Sequence, residues 1–247
     1  MSKKALLVGI NYIGTNNELA GCINDVLGMK DLLIKNYGYK EADIILMTDN
    51  TTLKPTRKNI LLELFKLILS NCSSMFFHYS GHGSYIKDSD NDEQDGNDET
   101  LVPIDFMQEG LIIDDELRGL LQCVQENSKL TVVLDCCHSG SGLDLAYNVY
   151  ERVGRFSIIK DSKEVPTRGQ IILFSGCQDP QTSADTVEEN KNQGALTYCF
   201  TNVIKQSGKT YEQVFREVKT LLKDKKYSQI PNLSSGKLLS LSSIFNL

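Results

Sequence analysis

A chain of 247 residues, 40% of them hydrophobic, has enough apolar mass for one large domain and is short for two. Its net charge of −6 and pI near 5.2 argue against a nucleic-acid or anionic-membrane footprint and suit a cationic ligand better. No stretch reaches the ~18 apolar residues of a membrane span, and the start MSKKALLVGI is too short a leader, so a soluble, cytoplasmic chain is expected.

Residues 5–10 form a short apolar run broken by Asn11-Tyr12-Ile13-Gly14, the pattern of a buried strand entering a loop. Residues 24–35 follow with helical spacing (Val26, Leu27, Met29, Leu32, Leu33). A second apolar run, 43–47, precedes a helix over 56–69, and a third run spans 74–79. Residues 84–100 read as an acid-rich loop, 114–124 as a helix, and 130–134 as a fourth strand. The stretch 140–169 reads as a long polar connection carrying Arg152, Arg155, Lys160, Lys163 and Arg168. A fifth strand at 171–175, helices at 196–205 and 211–222, and a closing strand at 237–241 complete the order. Strands apolar along their whole length, alternating with helices, predict an α/β fold: one domain over 1–247, with a mostly parallel central β-sheet and helices on both faces. In such sheets the chemistry gathers in loops beyond the carboxyl ends of the strands.

Two of those loops carry reactive side chains. His78-Tyr79-Ser80-Gly81-His82-Gly83 follows the third strand, and Asp135-Cys136-Cys137-His138-Ser139-Gly140 follows the fourth. A cysteine nucleophile needs an imidazole to take its proton, because the thiolate is the attacking species. The flanking glycines permit tight turns, so the backbone N–H groups of Gly83 and Cys137 are candidates to face a developing oxyanion. Taken singly, a strand cysteine is more often an inert apolar residue and a histidine a structural one. The seven cysteines are an odd count scattered through apolar runs, which favours free thiols, and three histidines with an adjacent Cys136-Cys137 pair do not make a zinc site.

Ser80-Gly81-His82-Gly83 together with Asp135-x-Cys137-His138-Ser139-Gly140 resembles the paired signatures of metacaspases, and the similarity runs from Lys4 to Pro231-Asn232-Leu233-Ser234-Ser235-Gly236. The 55-residue step from His82 to Cys137 also fits the caspase spacing of about 50. The resemblance implies a caspase-like fold with a large-subunit-like part over 1–150, a connecting loop over 151–169 and a small-subunit-like part over 170–247. It further implies a type I-like catalytic core without a prodomain. It makes His82 and Cys137 the catalytic dyad, since the family's nucleophile directly precedes His-Ser-Gly, and leaves Cys136 as a neighbour. Metacaspases cleave polypeptides after Arg or Lys and are generally monomeric. A cationic side chain needs a fixed, partly desolvated carboxylate, and Asp135, at the strand end two residues before Cys137, is placed for it. The resemblance adds Cys22, Asp25 and Ser80 to the pocket, although Asp25 near a helix start also reads as a cap. The resemblance makes Cys177 a wall of the pocket, with a buried structural thiol as the alternative. Gly194-Ala195-Leu196-Thr197 resembles the family's helix start after a substrate loop and receives no chemical role.

Metacaspases commonly need calcium, and the family's ligands match Asp98, Asp114, Asp115 and Asp144. Without the resemblance, Asp114-Asp115 reads as acid favoured by a helix's first turn. The acidic run from Asp88 to Glu99 imitates an EF-hand loop but has Glu93 where glycine is required. Lys160 and Lys163 are candidate self-cleavage positions, with ordinary solvated charge as the alternative. Two rivals remain: a non-catalytic caspase-like scaffold, and a peptidase that cleaves after Asp.

Overall fold

The five apolar runs become the parallel heart of one sheet. The computed structural model describes residues 2–87, 97–136, 143–176, 185–188 and 191–247. Its first half comprises β1 (Lys3–Gly9), α1 (Cys22–Tyr37), β2 (Ile44–Thr48), α2 (Arg57–Leu69), β3 (Ser74–Ser80), β4 (Gly83–Lys87), β5 (Asn97–Leu101), α3 (Phe106–Glu109), β6 (Ile112–Ile113), α4 (Asp114–Leu121) and β7 (Lys129–Asp135). The second comprises β8 (Tyr147–Arg152), β9 (Arg155–Lys160), β10 (Gln170–Gly176), β11 (Asp185–Glu188), β12 (Lys191–Gly194), α5 (Ala195–Ile204), α6 (Tyr211–Asp224) and β13 (Pro231–Ser235).

Eight strands form the main sheet in the order β2-β1-β3-β7-β10-β13-β8-β9. The first five are parallel and the last three are joined antiparallel. The chain steps one way from β1 to β2 and back past β1 to β3. Right-handed crossovers then put α1 and α2 on opposite faces. The packing agrees: Val26, Met29 and Leu33 of α1 share a cluster with Leu7, Phe76 and Val133, together with α5 and α6. Ile60, Leu64 and Ile68 of α2 share the other with Leu6, Phe77 and Leu134, together with Leu117 and Leu121 of α4. The period-2 alternation of each strand therefore divides one sheet between two cores.

Three regions differ from the sequence reading. Part of 84–100 forms β4 and β5, which pair antiparallel and take in β6 as a separate three-stranded sheet. The connection read over 140–169, including the loop at 151–169, contains the β8–β9 hairpin. Half-exposed strands with charged residues lack the apolar signature of a parallel core. The closing strand is β13 rather than 237–241: Leu233 enters the core beside Phe174, whereas Leu238 is exposed. No helix among the described residues is long and apolar enough to cross a membrane.

Candidate active site

The His82 loop is held by two tyrosines that the sequence does not mark as functional. Tyr12, in the left-handed region at φ +52°, and Tyr79 place their hydroxyls 3.2 Å apart beneath the loop. Tyr12 donates to the Val102 carbonyl at 2.6 Å and accepts from the His82 N–H at 3.0 Å. Tyr79 donates to the His82 carbonyl at 2.8 Å and accepts from the Val102 N–H at 3.2 Å. Each hydroxyl thus gives one proton and takes one, and burial pushes both far above the usual phenol range, keeping them neutral. A β-carbon on Gly81 would lie 2.8 Å from the Tyr79 hydroxyl, so this turn needs glycine for space.

The His82 ring lies 4.7 Å from the Tyr12 ring, and its Nε2 stands 2.8 Å from the carbonyl oxygen of Asn17. A carbonyl only accepts, so the neutral ring carries its proton on Nε2 and keeps a lone pair on Nδ1. Asn17 was invisible to motif reading because its contribution is a backbone oxygen. Gly83 opens β4, opposite Leu101.

β3 and β7 are neighbours, with Ser80 paired to Asp135, and Gly81 N–H reaches the Asp135 carbonyl at 3.4 Å. The His82 and Cys137 loops consequently leave adjacent strands at the same end of the sheet. Cys137 and Cys177 lie outside the described residues. Cys136 is buried in the α2 and α4 core, whereas Asp135 points to the opposite face.

On that face three predicted residues converge. Gly9 lets α1 approach β1, since a β-carbon there would collide with the Cys22 carbonyl and lie 2.6 Å from Val26 Cγ2. The α1 start is supported by Asn11, whose side-chain oxygen accepts from the Ile23 N–H at 3.1 Å. One turn on, Asp25 is buried and accepts from the Ser80 hydroxyl at 2.7 Å. The Gly194 N–H forks to both Asp25 oxygens at 3.0 Å each. Asp135 accepts from the Thr197 N–H at 2.7 Å and from Gln229 Nε2 at 3.4 Å. Cys22 is buried at the head of α1. The helix-start reading of Asp25 is thus displaced by a partner across the sheet.

The four predicted metal-ligating residues are only partly gathered. Asp98 on β5 and Asp114 at the start of α4 are 4% and 3% exposed. Asp114 accepts from the N–H groups of Glu99 at 2.8 Å and Asp115 at 3.0 Å. Burial, with repulsion from Asp98 adding to it, raises the Asp114 carboxyl to about 6. Asp115 is exposed one residue on, and Asp144 occupies a turn at φ +43° whose carbonyl, with that of Leu143, accepts from Arg118 of α4. Among the described residues no three of His, Cys, Asp and Glu stand together as a metal cage. The all-oxygen donors and the crowded Asp98–Asp114 pair suit a hard cation. The acidic residues from Asp88 to Asp95 lie outside the described residues.

Comparison with known proteins agrees with this architecture. The family model "Metacaspase, peptidase C14 domain" matches residues 3–146, more than half the chain. Metacaspase-1 of Schizosaccharomyces pombe is 36% identical over 97% of this chain and 68% of its own length. Metacaspase-1 of Eremothecium gossypii is 36% identical over 100% of this chain and 66% of its own length, so the chain spans about two thirds of these relatives. Protein GSU0716 of Geobacter sulfurreducens superposes with a TM-score of 0.71 at 23% identity, covering 98% of this chain and 97% of that one. Caspase-1 of Spodoptera frugiperda superposes at 0.60 with 9% identity, over 99% and 88% of the two chains, which shows the shared fold. With a caspase-like sheet and a matching family model, the chain belongs to the metacaspases, cysteine-type peptidases of the C14 family.

Proposed function

We propose that this chain is a calcium-dependent cysteine endopeptidase that cleaves polypeptides after Arg or Lys through a Cys137–His82 dyad, acting as a monomer in the cytoplasm. The observation that carries the specificity is the burial of two carboxylates, Asp25 and Asp135, around one point beside the His82 loop. Two like charges so near each other favour a cationic occupant and reject an acidic one. Ser80 bonds Asp25 at this point, and Cys22 and Cys177 are assigned to the pocket's wall.

In the reaction His82 Nδ1 takes the Cys137 thiol proton, and the thiolate attacks the carbonyl carbon of the scissile bond. The N–H groups of Gly83 and Cys137 stabilise the oxyanion. Protonated His82 then gives its proton to the leaving amine, and a thioester remains. Water attacks the thioester after losing a proton to Nδ1, and that proton returns to the departing thiolate. The Asn17 carbonyl, accepting from Nε2, orients the neutral ring with Nδ1 left to act as the base.

Asp98, Asp114, Asp115 and Asp144 are the residues that would hold calcium. When bound, the ion supplies positive charge that offsets the Asp98–Asp114 repulsion and joins α4 to the turn after the nucleophile loop.

Fluorogenic peptides with Arg, Lys or Asp at P1, each assayed with calcium and with a chelator, test the proposal. The expected result is hydrolysis of the Arg and Lys peptides only with calcium, abolished in Cys137→Ala and His82→Ala. Activity indifferent to the chelator removes the calcium requirement, hydrolysis of the Asp peptide alone reverses the specificity, and a wild type inert on all three supports the scaffold.

A further inference from the structure

Building on the reading of Asp25 and Asp135 as the P1 carboxylates, we propose that Gly194 is a specificity-determining residue. In this proposal the β12–α5 junction sets how far apart the two carboxylates stand for a cationic side chain. The usual reason for a glycine does not apply here, because Gly194 has φ −70° and ψ 140°, which any residue adopts. Space is the reason. A β-carbon on Gly194 would collide with Asp135 Oδ2 and lie 2.8 Å from Asp25 Oδ2. The position faces both pocket carboxylates at once and leaves room for nothing larger than hydrogen.

The same junction supplies the donors that aim them. Gly194 N–H forks across both oxygens of Asp25, and Thr197 N–H, in the first turn of α5, binds Asp135 Oδ2. First-turn amides have no partner inside their own helix, so this bond costs α5 nothing and brings the positive end of the helix to the carboxylate. Backbone donors cannot titrate. These donors orient both carboxylates before substrate arrives, toward the place a guanidinium or ammonium would take. Asn24 Nδ2 also donates to the Asn192 carbonyl at 2.9 Å, tying the strand that ends in Gly194 to α1 and to Asp25 upon it. Displacing Gly194 thus moves both carboxylates together.

The test is steady-state kinetics of the whole chain with calcium, on Arg-, Lys- and Gln-P1 peptides. Iodoacetamide labelling of Cys137, mapped by mass spectrometry, serves as a dyad readout independent of P1. Gly194→Ala is expected to raise KM for the Arg peptide about 30-fold or more with kcat within about threefold, and to leave the labelling rate of Cys137 unchanged. Arg should suffer more than Lys, since a planar fork tolerates displacement less than a point charge. In an Asp135→Ser background the nearer oxygen is gone and only Asp25 Oδ2 remains close, so adding Gly194→Ala should change kcat/KM by less than about threefold. If Gly194→Ala alone does not fold, the double variant must fold and match Asp135→Ser. An unchanged KM in Gly194→Ala, an equal loss in both backgrounds, a fall in Cys137 labelling, or a double variant that also fails to fold overturns the proposal. A wild type that does not prefer Arg and Lys over Gln overturns instead the P1 reading beneath it.

Discussion

His78 and His82 stand four residues apart in opposite surroundings. His82 is half-buried in the loop with Nε2 on the Asn17 carbonyl, while His78 is fully buried on β3, its Nε2 3.0 Å from Thr197 Oγ1. Its Nδ1 has no partner among the described residues, and burial pushes its pKa down to about 3. In the unfolded chain the same ring titrates near 6.5. Between those values the unfolded state holds the extra proton, so stability falls as the pH drops from 6.5 toward 3. The contribution lost by pH 4.5 is about 2–3 kcal/mol. Urea unfolding at pH 6.5 and 4.5 should show that loss in the wild type and a smaller one in His78→Gln. An identical pH dependence in both proteins would contradict it. Strand alternation made part of this legible in the sequence: in Phe76-Phe77-His78-Tyr79-Ser80, His78 and Ser80 had to share one face and Tyr79 the other. The Asn17 carbonyl and the left-handed Tyr12 were not legible, because neither leaves a side-chain signature in a motif.

Elements that bury both faces announce themselves, and those that bury one face through neighbours do not. β1, β3, β7 and β10 were readable as continuous apolar runs, and α6 as a helix over 211–222, which Thr210 caps by accepting from the Gln213 N–H at 3.2 Å. β13, Pro231-Asn232-Leu233-Ser234-Ser235, offers one large apolar side chain and becomes a strand because β10 and β8 flank it. The misread 237–241 has more leucine but no strand beside it to pair with. The start of α4 shows the same limit, since Asp114 reads as dipole-favoured acid until β5 brings Asp98 against it. Its carboxyl, raised to about 6 from 3.8, prefers the proton in the folded state. That stabilisation is complete below about pH 4 and disappears as the pH rises through 6. Without calcium, thermal melts should therefore show Asp114→Asn overtaking the wild type above pH 6, by about 1–2 kcal/mol. With millimolar calcium the order should invert at pH 7.5, as the wild type gains an ion-binding term the variant has lost. A variant that stays less stable at every pH without calcium contradicts the repulsion.

At the scale of the whole molecule, the eight-stranded sheet must keep its edges from pairing with another copy. β13 would be a bare edge next to the core, but β8 pairs with it through Asn148 and Tyr147, and β9 covers β8. That hairpin is fastened rather than loose. Phe156 lies 5.2 Å from the Phe215 ring of α6, Arg216 stacks 4.6 Å over Phe156, and Lys219 reaches Glu151 at 2.5 Å. The strand left outermost at this end, β9, is six residues long and begins and ends in Arg155 and Lys160, both exposed, the kind of charged border that discourages edge pairing. A hairpin packed on its own helix has little to gain by exchanging with another chain. Sedimentation equilibrium with calcium should therefore give one species at 27.6 kDa across the micromolar range. Phe156→Asp places a charge where the two rings meet, so it should release the hairpin and uncover the β13 edge. Association that grows with concentration is expected in that variant alone. A wild type that is already dimeric, or a variant that stays monomeric with β9 amides newly open to hydrogen exchange, would show that the hairpin is not what keeps copies apart.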